Sequence, residues 1–188
     1  MNDYTLFPEG LPVPEDDGKA SHLLGRQIPE ITMPSTKNNF FDFSAIDKKN
    51  TILYFFPMMG MPDRELPPGW NDIPGARGCT PQNISINKHL KDLEEHDAVP
   101  IGISTQPIAD LEQLSSIRNL SQILVSDNNL EFQKHLNIPV FAINGNTMYK
   151  RLTLVVKNSK IIKVFYPVFP PDKHVSEILK WLENDSSL

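Results

Sequence analysis

Short apolar runs alternate along the chain with stretches of helical periodicity, and their order predicts the elements. Thr51 to Phe56 (TILYFF) is continuously apolar and rich in aromatic and β-branched residues, which marks a buried strand closed by Pro57. After a loop dense in Pro and Gly, Thr80 and Pro81 offer an N-cap and a first-turn proline for a helix over about Gln82 to Glu95. Ile86, Leu90 and Leu93 form its buried stripe. Ala98 to Ser104 (AVPIGIS) reads as a second buried strand, joined to the first by that helix as a parallel crossover. Leu111, Leu114 and Ile117 mark a second helix, Ile123 to Val125 a third strand, and Asn129 to Leu136 another helical turn. Leu152 to Val156 and Ile161 to Phe165, separated by Asn158 and Ser159, read as a β-hairpin. Val175, Ile178, Leu179 and Leu182 give the last helix one apolar face to lay on the sheet. The expected fold is α/β, a central mixed sheet flanked by helices, with the hairpin supplying the antiparallel strands.

The ends and connections are less periodic. Phe7 to Asp17 is rich in Pro and acids, suiting either an extended arm over the domain or a disordered tail, so the chain divides into a Pro-rich acidic extension (1–24) and one domain (25–188). Within Gly25 to Pro34, Ile28, Ile31 and Met33 keep no one strict period, and VFYPVFPPD (164–172) suits a packed C-terminal connection. Ser126 and Asp127 suit turn capping, and Pro139 a plain loop position.

Composition narrows the class. The 188 residues, 39% hydrophobic and 22% charged, fit one globular domain, and a net charge of -5 offers no electrostatic footprint for nucleic acid. The opening MNDYTLFPEG lacks the basic and apolar regions of a secretory signal, and no apolar run is long enough to cross a bilayer. The expected location is cytoplasmic, where a lone cysteine stays reduced.

That single cysteine, Cys79, is the candidate chemistry. A free cysteine is most often a small buried hydrophobe. Cys79 instead stands between Gly78 and Thr80 at a predicted helix mouth, where unpaired N–H groups and the positive end of the helix favour thiolate over thiol. Arg77 adds to that field. His22, His89, His96, His135 and His174 show no metal-ligand spacing and suit solvated or capping roles, so neither a metal nor an organic cofactor is expected.

With these residues identified, the chain resembles the peroxiredoxins of the alkyl hydroperoxide reductase and thiol-specific antioxidant superfamily, over roughly Gly25 to Leu182. A strand ending in Phe-Pro, Gly-Cys-Thr opening a helix, GISTQ, a Ser-Asp pair and KRLTLVV occur in family order. GARGCTPQ and KRLTLVV…VFYPVFPPD are similar to a bacterioferritin-comigratory-like bacterial subgroup with an extended active-site loop. The resemblance implies a thioredoxin-like fold and a thiol-dependent peroxidase that reduces hydrogen peroxide or organic hydroperoxides. It implies that Cys79 is the peroxidatic cysteine and that Arg151 holds the thiolate and the peroxide oxygens. An external thiol of thioredoxin, glutaredoxin or glutathione type then regenerates the enzyme, and the resemblance leaves a homodimer open.

Two departures from the family pattern matter. The motif Pro-x-x-x-Thr-x-x-Cys finds Asp72 and Ala76 where the proline and threonine would stand. Pro57 or Pro74 then takes the proline's role, and Thr80 is the nearest substitute hydroxyl. A resolving cysteine five positions after the first is replaced by Ile84, so no intramolecular disulfide can form. The substrate pocket is expected to involve Pro57, Trp70, Ala76, Arg77 and Gly78, with Trp70 and the nearby methionines as walls. The rival expectation is a thioredoxin-like binding or redox-sensor module with little turnover, which Ala76 and Ile84 would suit.

Overall fold

The computed structural model describes residues 2–46 and 50–185, so the extremes of the two segments assigned above, residue 1 and 186–188, lie outside it. Two short strands, β1 (Thr32–Pro34) and β2 (Phe40–Asp42), pair antiparallel beside the main sheet. The apolar run becomes β3 (Asn50–Phe55), one residue earlier than its pattern suggested. Helices α1 (Cys79–Lys88) and α2 (Leu90–Glu95) cross to β4 (Ala98–Ser104), followed by α3 (Ile108–Ile117), β5 (Ile123–Ser126) and α4 (Glu131–Leu136). The chain finishes with β6 (Val140–Ile143), β7 (Asn146–Tyr149), β8 (Leu152–Lys157), β9 (Lys160–Phe165) and α5 (His174–Asp185).

The main sheet runs β5-β4-β3-β8-β9, with β3, β4 and β5 mutually parallel and β8 antiparallel to both β3 and β9. This is the mixed α/β sheet expected of a thioredoxin-like domain. The alternation of β3 explains its unbroken apolar run: Ile52 and Tyr54 face the helix layer with Ile86, Leu93, Leu111 and Ile178, while Leu53 and Phe55 face Ile101, Phe132 and Leu154 on the other side. With both faces covered, each large side chain on β3 contributes roughly 1.5–3 kcal/mol by leaving water. Asn158 and Ser159, both at positive φ, turn β8 into β9 as the hairpin reading required.

Several expectations need correction. The helix foreseen over Gln82 to Glu95 starts at Cys79 and is interrupted at His89, where the backbone leaves helical geometry and the ring Nδ1 shares a 2.8 Å hydrogen bond with the Ser85 carbonyl. Leu90 consequently belongs to a second helix. Thr80 is not the N-cap: Gly78, at φ 104°, makes the entering turn, which a left-handed glycine does at no steric cost. Ile117, a marker of the second helix, does fall in α3, where it is 45% exposed at the last residue, whereas Leu111 and Leu114 are buried. The β6–β7 hairpin around Asn144-Gly145 was not foreseen.

Asp127 behaves as a cap, accepting from the Glu131 N–H at 2.7 Å and the Phe132 N–H at 3.0 Å, and Tyr149 donates its hydroxyl to the same carboxylate at 2.5 Å. Burial, aided by the Asp127 carboxylate, pushes the Tyr149 hydroxyl far above its ordinary range. Residues 4–17 form an arm that packs onto the domain: Phe7 meets Phe169 edge-on at 5.6 Å, and Asp17 pairs with Lys150 at 2.7 Å.

Candidate active site

The site forms where the carboxyl end of β3 meets the start of α1, the edge at which open α/β sheets place their ligands. Register supplies the second partner. Phe55 lies opposite Leu152 across the β3–β8 ladder, so Arg151 emerges beside Phe56 and Pro57 although it is remote in sequence. Behind Cys79, α1 is tied to the sheet by buried polar groups: Tyr54 donates its hydroxyl to Asn83 Oδ1 at 2.8 Å, Asn83 Nδ2 donates to the Cys79 carbonyl at 2.9 Å, and Gln122 Nε2 donates to the Asn83 carbonyl at 3.0 Å. These groups hold the first turn of α1 in one place.

Cys79 is 2% exposed. Its Sγ receives Arg151 Nη2 at 3.1 Å and the Met58 N–H at 3.3 Å, and the thiol donates to the Ala76 carbonyl at 3.5 Å. Arg151, also buried, is wrapped by the active-site loop: Nη2 lies 3.2 Å from the carbonyls of Gly75, Ala76 and Arg77, and Nη1 donates to Gln82 Oε1 in a short hydrogen bond. Among the described residues, the hydrogen-bond and ion-pair partners of this guanidinium include no carboxylate. A buried cation without an anion is costly, so the site is built to receive negative charge at the sulfur. Nearby, His174 is 1% exposed and bonded at 2.9 Å both to Thr153 Oγ1 and to Glu177. This corrects the expectation of a solvated or capping histidine. Burial, opposed by Glu177 and aided by Arg151, holds its pKa below the usual value and keeps a second cation away from the guanidinium.

The other sequence candidates separate. Gly78 lies under the arm and the C-terminal connection, where an added Cβ would stand 2.5 Å from Pro171 Cγ and 2.8 Å from Phe7 Cδ2. Arg77 gives its carbonyl to Arg151, while its guanidinium lies 4.8 Å from the centroid of the Tyr4 ring. Burial lowers the Arg77 pKa, with Tyr4 and Cys79 opposing that shift. Thr80 is buried with its hydroxyl unpartnered, so it makes no hydrogen bond to the sulfur. Ala76 packs against Trp70 and Met148 and presents only its carbonyl to Cys79. Pro57 lines a cavity of about 270 Å³ together with Arg151, Ile73 and Phe141. Trp70 does not line it; buried behind Ile73 and Phe141, it braces that wall.

Two contributors escaped the sequence reading. Gln82 sits three residues after Cys79, a spacing that puts both on one helix face, and that spacing was the available signal. The Met58 amide had none, because it acts through the backbone. Among the described residues, no cluster of His, Cys, Asp and Glu is arranged to hold a metal ion.

A buried cysteine at a helix start, held by an arginine just before the neighbouring strand, is now the feature to set beside known proteins. Residues 23–182 match the Redoxin family model. A chloroplastic peroxiredoxin Q of Triticum aestivum is 25% identical over 168 residues, covering 89% of this chain and 69% of its own length. The crystal structure of the peroxidoxin BcpB from Mycobacterium tuberculosis superposes with a TM-score of 0.69 at 21% identity, covering 86% of this chain and 96% of that one. A Xanthomonas campestris bacterioferritin comigratory protein, studied for alkyl peroxide reduction, superposes with a TM-score of 0.67 at 15% identity, covering 94% and 98% of the two chains. Family match and shared architecture agree: the chain belongs to the Redoxin family, and the relatives it is similar to are peroxiredoxins of the Q and bacterioferritin-comigratory type.

Proposed function

We propose that the protein is a single-cysteine thiol peroxidase, and the observation that carries this reading is the buried Arg151 guanidinium 3.1 Å from Cys79 Sγ. The thiolate attacks one oxygen of a peroxide ROOH. An S–O bond forms as the O–O bond breaks, RO⁻ leaves and takes a proton to become ROH, and Cys79 is left as a sulfenic acid. Arg151 and the Met58 N–H face the position where negative charge shifts from sulfur to oxygen, which is the stabilisation such a displacement needs.

With one cysteine in the chain, resolution comes from outside. An external thiol attacks the sulfenic sulfur, water leaves, and a second thiol reduces the mixed disulfide, returning Cys79 and releasing the oxidised reductant. Reductants of thioredoxin, glutaredoxin or glutathione type have this chemistry. The need for them puts the working protein in a reducing compartment such as the cytoplasm.

One observation favours a second reading, a redox sensor. Among the described residues, the hydrogen bonds to Cys79 Sγ involve Arg151, the Met58 N–H and the Ala76 carbonyl but no side-chain hydroxyl, and the Thr80 hydroxyl is unpartnered. Catalytic consumption of peroxide in the presence of a dithiol reductant supports the peroxidase. Stoichiometric oxidation followed by capture of a protein in a mixed disulfide, without turnover, supports the sensor.

A further inference from the structure

Residues 4–17 lie outside the stretch 23–182 that matches the family, yet they pack on the active-site loop at three glycines. The Tyr4 ring fills the space beside Gly60, where a Cβ would come within 2.3 Å of it, and its hydroxyl donates to the Arg64 carbonyl at 2.8 Å. Phe7 fills the space beside Gly78, and Pro14 that beside Gly75, 3.3 Å from a would-be Cβ. The far end is pinned beside Arg151, where Asp17 accepts from Lys150 and from the Tyr166 hydroxyl, each at 2.7 Å.

Pinned in this way, Pro14, Glu15 and Asp17 close one side of the cavity of about 270 Å³ whose floor includes Arg151. Most of its remaining wall is apolar, with Ile73, Phe141 and Val168 facing the space. Hydrogen peroxide has no group that would use such a wall. An apolar cavity of about 150 Å³ is enough for a benzene ring, so this one has room for the organic part of a small aryl or alkyl hydroperoxide.

We propose that the arm is a specificity element of the peroxidase: it completes an apolar pocket beside Arg151 that seats the organic group of ROOH and favours organic hydroperoxides over hydrogen peroxide. The proposal rests on the thiol peroxidase reading. Among the described residues, the arm makes no hydrogen bond to the sulfur, and it acts on the choice of substrate.

The test compares second-order rate constants for oxidation of Cys79 by cumene hydroperoxide and by hydrogen peroxide in the full-length protein. Two variants disturb the pocket in opposite ways: Phe7→Ala with Asp17→Ala unseats the wall, and Ile73→Phe fills the space. In both, the ratio of the cumene to the hydrogen peroxide constant falls roughly tenfold, the scale on which an apolar pocket discriminates. A ratio unchanged from wild type in either variant, with circular dichroism showing native folding, overturns the proposal. Should Ile73→Phe fail to fold, the arm variant decides, because its substitutions lie in the arm outside the packed sheet. Wild-type protein that reacts with both peroxides no faster than a free thiol would instead remove the peroxidase reading, a result distinct from an unchanged ratio.

Discussion

Cys79 was named by its place at a helix mouth and Arg151 by resemblance, yet the 3.1 Å between sulfur and guanidinium was invisible in the sequence, because a strand register sets it. Replacing Arg151 with Ala is expected to slow oxidation of Cys79 by about 10²–10³-fold, the usual loss when one donor facing developing charge is removed. Gln82 acts at one remove. It accepts from Arg151 Nη1 and so aims Nη2 at the sulfur. Gln82→Ala is expected to cost about tenfold, in line with a lost hydrogen bond to a charged group, and Gln82→Glu, which keeps the acceptor but pairs the guanidinium with a carboxylate, is expected to slow oxidation as well. Equal rates in wild type and Gln82→Ala, measured by rapid mixing, would remove Gln82 from the positioning role. Thr80 illustrates a limit of reading residue types: a hydroxyl next to a cysteine in sequence need not meet the sulfur, because one residue of helix rotates side chains by about 100°. Ala76 shows the converse, contributing a carbonyl that its side chain could not announce.

The strands were legible because each carries a run of apolar residues covered on both faces, and β3, β4, β8 and β9 fall within one or two residues of their patterns. The β6–β7 hairpin was equally legible from Asn144-Gly145, a strong turn signal that went unused. The start of α1 was harder. Three residues of helix precede the expected first one because Gly78 takes a left-handed conformation that only the packed loop, arm and connection impose. Gly78→Ala is therefore expected to lower stability by about 1–3 kcal/mol through backbone strain alone, with further loss from the Pro171 and Phe7 contacts. Equilibrium denaturation checks this, and a variant as stable as wild type would refute it.

Helix α5 carries its own test at His174. Its folded pKa lies below the unfolded value, so the unfolded chain binds the extra proton more readily, and the stability it contributes is present above about pH 6.5 and lost as pH falls below that. Wild-type Tm should drop more steeply between pH 7 and pH 5 than that of His174→Gln. Parallel slopes would show that His174 is not the group responsible.

How the arm sits on the domain could not be decided from its composition, since Pro and acids suit an extended strap and a disordered tail equally; glycines in the loop beneath it settle the matter by leaving room for Tyr4, Phe7 and Pro14. At Asp17 burial opposes ionisation, but hydrogen bonds from Lys150 and Tyr166 outweigh it and hold the carboxyl well below the usual range. The sign is that of a depressed acid. Its contribution is present above the unfolded value near pH 4 and is lost only as pH falls through the lower folded one. Since the Asp17 side chain is 29% exposed, the effect is modest. Asp17→Asn should lower Tm slightly at pH 7, with the difference from wild type shrinking below pH 4. A difference that stays constant down to pH 2 would exclude the ion pair as its source.

Everything converges on whether the arginine and the helix start turn a buried cysteine into a fast nucleophile toward peroxide without the family's threonine. Stopped-flow mixing of reduced protein with hydrogen peroxide and with an organic hydroperoxide, with Cys79 sulfenic acid followed by mass and Arg151→Ala and Cys79→Ser alongside, answers it. We predict oxidation far faster than that of a free thiol at the same pH, a sharp fall in Arg151→Ala and none of the reaction in Cys79→Ser. Wild-type rates no better than a free thiol, or indifference to Arg151, would contradict the account and leave a thioredoxin-like module that kept the fold without the chemistry.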